Sequence, residues 1–111
     1  MIQKFKYAFN GLKECFKDRS ILIQFILAIL AIIGGLLIRL DYYEWLAFII
    51  CIGMVVSFEM FNSIIEHLCD LYSTEKNNKI KVIKDLGSAA VLFSSICSLI
   101  ICILCILRRL L

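Results

Sequence analysis

The chain has 111 residues, of which 62% are hydrophobic and 19% charged, with no proline and a net charge of +3. That apolar share lies far above the roughly 45–50% of soluble domains, so a water-soluble globule is excluded, and so is a large soluble catalytic domain beside a membrane part. The small net charge gives no reason to expect nucleic acid as a partner.

The first 19 residues carry Ile2, Phe5, Phe9, Leu12 and Phe16 at alternating spacings of three and four, flanked by lysines. This pattern predicts an amphipathic helix lying along the membrane surface. Three apolar segments follow, at 21–38, 45–65 and 88–107, each near the roughly 20 residues that cross a ~30 Å hydrocarbon layer. They predict three transmembrane helices, the first retained because its charged approach is too long for a signal peptide and no cleavage site follows. The expected class is an all-α membrane protein in which residues 1–111 form a single domain.

Lys4, Lys6, Lys13, Lys17 and Arg19 precede the first span, and Lys76, Lys79, Lys81 and Lys84 lie between the second and third. Only Arg39, Arg108 and Arg109 fall on the other side, which places the N-terminus and the second loop in the cytoplasm. Tyr42, Tyr43 and Trp45 form an aromatic anchor at the opposite interface. Cys15, Cys51, Cys69, Cys97, Cys102 and Cys105 read as small apolar fillers, because they sit mostly in apolar runs. The Cys102-x-x-Cys105 pair has no second pair to complete a metal site.

The second span is not a passive anchor. Glu59, Asn62, Glu66 and Asp70 recur at spacings of three, four and four, which puts them on one stripe of a helix. Fourteen residues from Trp45 to Glu59 rise about 21 Å, so Glu59 falls inside the cytoplasmic half of the bilayer. A carboxylate there costs about 2.5 kcal/mol or more unless it is paired, protonated or wetted. Helix-to-helix glue accounts for Asn62 alone but not for three acids on one face, which call for a cation, and Mg²⁺ is the economical one. Asp70, at the membrane surface near His67, reads equally as a solvated acid.

Lys84-Asp85 precedes Gly87-Ser88-Ala89-Ala90, whose small side chains admit a neighbouring helix or a ligand. Lys84 either snorkels to the interface or meets phosphate. Tyr7 lies off the apolar stripe of the first helix, as an interfacial aromatic or a site residue. Asp18 and Arg19 close that helix at the depth of Glu66. No soluble-kinase phosphate loop is present, so any nucleotide site is built differently.

Three stretches carry a resemblance. Phe5-Lys-Tyr-Ala-Phe-Asn-Gly-Leu-Lys13, then Glu59-Met-Phe-Asn-Ser-Ile-Ile-Glu66 with Asp70, then Lys84-Asp-Leu-Gly-Ser-Ala-Ala-Val-Leu92 resemble the prokaryotic diacylglycerol kinase family, which includes the undecaprenol kinases. The resemblance covers nearly the whole chain and implies a homotrimer of small membrane-embedded lipid kinases with sites shared between subunits. The expected reaction is ATP- and Mg²⁺-dependent phosphorylation of a membrane lipid alcohol, undecaprenol or diacylglycerol, at the cytoplasmic interface of the cell membrane. By position, the resemblance makes Glu59 the catalytic base, Asn62 its supporting polar residue and Glu66 a metal and nucleotide ligand. Lys84 and Asp85 become the ATP-contacting pair, Tyr7 the nucleotide-side tyrosine, Glu75, Lys76 and Asn77 the bordering loop, and Ser88 a lipid-side residue. Aligned from Gly11, Arg19 stands where the better-known diacylglycerol kinases carry a second metal-binding glutamate. Asp18-Arg19-Ser20 is similar to the Glu-Arg-Asn of many Gram-positive members, so the metal role passes to Asp18, and the substrate tilts toward undecaprenol.

Two rival classes account for less. A small proton-coupled transporter using Glu59 would need four spans and an acid in the first, which has only Gln24. A holin-like helper protein would explain the spans but not the acidic stripe.

Overall fold

The computed structural model describes residues 1–72, 75 and 77–111. Among them are four helices and no strand: α1 (Ile2–Cys15), α2 (Arg19–Leu37), α3 (Tyr42–Tyr72) and α4 (Asn78–Leu110). The last three are long and apolar enough to cross a membrane.

The helix ends differ from the hydropathy limits, for local reasons. α1 stops at Cys15 rather than at residue 19, because Asp18 is the N-cap of α2 and not the end of the first helix. Its Oδ1 accepts the backbone N–H groups of Ser20 at 3.0 Å and Ile21 at 3.3 Å, so Arg19 opens the first span. The rings of Phe16 and Phe25, with centroids 5.2 Å apart, brace this elbow.

α3 continues past Ile65 to Tyr72, and α4 begins ten residues before Ser88, at Asn78. Hydropathy locates the edge of the hydrocarbon, whereas the backbone stays helical beyond it until a side chain competes for its N–H groups. Asn77 does so for α4, accepting from Lys79 N at 2.8 Å and Ile80 N at 3.4 Å. Lys84-Asp85 therefore lies within α4 rather than ahead of it.

The turn between α2 and α3 is tied down at both sides. Arg39 takes a left-handed φ of 56°, and Leu40 N–H returns to the Gly35 carbonyl at 3.2 Å. Asp41 and Glu44 then form a reciprocal capping box: Glu44 N–H donates to Asp41 Oδ1 at 2.9 Å and Asp41 N–H to Glu44 Oε1 at 3.1 Å. Glu44 is also only 4% exposed, and the Arg109 guanidinium reaches it from the far end of α4, with Nη2 at 2.7 Å from Oε1 and Nε at 2.9 Å from Oε2. Arg109 further donates to the carbonyls of Ile38 and Arg39, and Arg108 pairs with Asp41 at 3.5 Å. The C-terminal end of α4 is thereby clasped to the α2–α3 turn.

α3 packs between α2 and α4. Ile21 and Cys69 are the buried apolar side chains among the described residues, and α1 buries none. Leucines, isoleucines and phenylalanines stand exposed on every helix. A lone chain in water would not be held by so small a core, so lipid or further protein covers these faces. All six cysteines are free thiols.

Candidate active site

The site is built where α3 and α4 come close together at Gly87. Gly87 is buried against Asn62, whose Oδ1 occupies the space that a Cβ on residue 87 would need. The absence of a side chain at Gly87 thus sets the distance between the helices. Among the small residues of Gly87-Ser88-Ala89-Ala90, this one seats α3 itself. Asn62, 7% exposed, donates from Nδ2 to Glu66 Oε1 at 3.2 Å, and its buried Oδ1 has no hydrogen-bond partner among the described residues.

The stripe read from helical spacing is present on α3. Glu59, half-buried, lies within electrostatic reach of Glu66 and Asp18. Asp70, two turns beyond Asn62, receives the Lys84 ammonium at 2.7 Å, so Lys84 is tied to α3 and not loose at a helix start.

Asp18 approaches the same helix from another side. Its Oδ2 lies 3.4 Å from His67 Nε2, with the Ser63 hydroxyl as a further partner. Partial burial pushes its carboxyl up, but hydrogen bonds from Ile21, Ser63, His67 and Ser20 together outweigh this and hold it below the ordinary aspartate range. A groove of about 670 Å³ opens between α1 and α3 beside Asp18, lined by Ala8, Leu12, Met60, Ser63 and His67. The elbow thus places Asp18 against Ser63 and His67, which flank Glu66 along α3.

A model of the family described as prokaryotic diacylglycerol kinase matches residues 6–106. The chain belongs to this family. Over 109 residues it is 30% identical to the undecaprenol kinase of Bacillus subtilis (strain 168), a match covering 97% of this chain and 89% of that protein. The chain is therefore a lipid kinase of the membrane, and the transporter reading finds no support. Family membership implies a lipid substrate and ATP-dependent phosphoryl transfer, typically with a divalent metal.

Not every residue expected in the kinase site is gathered by one chain. Tyr7 is 67% exposed on α1, and Ser88 is exposed on α4 next to buried Gly87. Asp85 pairs with Lys81 at 3.3 Å along the same helix. Glu75 is exposed, Asn77 caps α4, and Lys76 lies outside the described residues. Conversely, the ion pair of Asp70 with Lys84 and the contact of His67 with Asp18 went unread in the sequence, since both depend on how helices are aligned. The donor set suits Mg²⁺: Glu66 and Asp18 offer hard carboxylate oxygens and Asn62 an unpartnered carbonyl. Among the described residues no group of three acids, histidines or cysteines is placed to hold a metal ion.

Proposed function

We propose that this kinase transfers the γ-phosphate of ATP to the hydroxyl of undecaprenol at the cytoplasmic face of the cell membrane. The observation that carries the reading is the α3–α4 junction, where a half-buried carboxylate, a supported carboxylate and a lysine follow one another from membrane depth outward. A lipid hydroxyl reaches such a site from the bilayer, and a nucleotide reaches it from water.

In this reading Glu59 accepts the hydroxyl proton on a carboxylate oxygen as the lipid oxygen attacks the γ-phosphorus and ADP departs. Asn62 keeps Glu66 turned toward the nucleotide side, and Lys84 offers ammonium protons to the phosphates. Glu66 and Asp18 hold Mg²⁺, which when bound offsets phosphate charge. Asp85, Tyr7, Glu75, Lys76 and Asn77 border the nucleotide, and Ser88 stands on the lipid side. The N-terminal helix lies on the cytoplasmic surface, with Phe5, Phe9 and Leu12 in the headgroup boundary. The assembly is a homotrimer in which neighbouring copies bring the residues that one chain leaves exposed. The relationship to an undecaprenol kinase and the Asp18-Arg19-Ser20 stretch favour undecaprenol over diacylglycerol.

Glu59→Gln preserves shape and removes the base. It is expected to lower the rate of phosphoryl transfer by roughly 100-fold or more while nucleotide binding and assembly stay as in the wild type. Near-normal activity in that variant would show that Glu59 is not the base.

A further inference from the structure

Asp70 has no task in the scheme above, yet it makes a direct ion pair between the two helices that build the site, at the end away from the Glu44–Arg109 pair. α3 and α4 run antiparallel with Gly87 seated on Asn62. Lys84, three residues before Gly87, therefore starts about level with Glu66, one turn after Asn62. Its side chain passes that level and ends on Asp70, a turn further out, 2.7 Å from Oδ1. Glu66 lies within electrostatic reach of the same ammonium but bonds to Asn62 instead. Two carboxylates one turn apart thus share one candidate cation, and the outer one holds it.

We propose that Asp70 is a positioning residue of the nucleotide site: it draws the Lys84 ammonium off Glu66, leaving Glu66 open to a divalent cation and Lys84 open to phosphate. This rests on the roles given above to Glu66 and Lys84. An ammonium has three N–H donors, so one bond to Asp70 leaves two for phosphate oxygens. Without Asp70, the carboxylate left within reach on the stripe is Glu66, and a lysine paired there competes with the cation for the same oxygens. The Asp70–Lys84 pair is itself well exposed and adds little to stability. Its consequence lies in which carboxylate the lysine occupies.

The test is a binding measurement, free of turnover. Full-length protein in nanodiscs is titrated with Mn²⁺, followed by the electron paramagnetic resonance of the free ion, and with a fluorescent non-hydrolysable ATP analogue. Asp70→Asn is expected to weaken Mn²⁺ binding roughly fivefold, the scale of one exposed ion pair, with an unchanged melting temperature. Asp70→Glu keeps the charge and restores Mn²⁺ affinity. Adding Lys84→Met to Asp70→Asn also restores it, because the competing ammonium is gone, while binding of the analogue stays weak. Wild-type Mn²⁺ affinity in Asp70→Asn, or a double variant as weak as the single, overturns the proposal. Asp70→Ser, run in parallel, supplies the same readout if the asparagine variant does not fold. Failure of the underlying assignment has a different mark: Glu66→Gln would then bind Mn²⁺ like the wild type.

Discussion

Asp18 serves two elements with one carboxylate. Oδ1 closes the N-terminus of α2, and Oδ2 faces His67 on α3. Because its folded-state pKa lies below the ordinary value, its contribution is complete above the unfolded pKa of about 3.9 and is lost as the pH falls through the lower folded value. Asp18→Ala should therefore lower stability by about 1 kcal/mol at neutral pH, the usual worth of such a cap. In thermal unfolding followed by circular dichroism, the gap between wild type and variant should close as the pH is taken well below 3.9. A gap that persists in strong acid would mean that the carboxylate is not what stabilises the elbow. By sequence alone Asp18 stands at the end of the first helix, so its cap on α2 went unread. Its contact with His67 was not legible, because it joins residues 49 apart.

At the scale of helices, the spacing of Glu59, Asn62 and Glu66 was enough to place the stripe, since a helix of known pitch fixes which residues share a face. The helices run beyond the apolar spans because charged and amide side chains at membrane edges end a hydropathy plateau without ending a helix. The Asp41-x-x-Glu44 capping box went unread. So did its partner Arg109, as nothing local announces that the end of α4 returns to the α2–α3 turn. This clasp predicts strong coupling. Arg109→Ala leaves Glu44 buried without its counter-charge and should lower the melting temperature by roughly 5 °C or more. Glu44→Ala combined with Arg109→Ala should cost less than the two single changes together. Additive shifts in the double variant would show that the pair does not act as a unit.

For the whole molecule, the decisive point is how little one chain encloses. Its spans expose apolar side chains on most faces, and Tyr7, Ser88 and Asp85 stand exposed. A site that takes a lipid from one side and a nucleotide from the other has no need of a closed pocket within one subunit. It needs a polar seam at the right depth; in the proposed homotrimer, lipid and neighbouring copies would wall it. The apolar majority of residues pointed to lipid as the solvent, and the few polar residues that this solvent penalises marked the seam. Which lipid enters was not legible, because chain length and headgroup are sensed along apolar faces that hydropathy treats alike. The most direct test of the central claim is transfer of label from [γ-³²P]ATP, with Mg²⁺, to undecaprenol, diacylglycerol or monoacylglycerol in mixed micelles of the purified protein. Labelled undecaprenyl phosphate is expected as the main product, dependent on the metal; label in diacylglycerol alone, or in no lipid, would rule out undecaprenol phosphorylation.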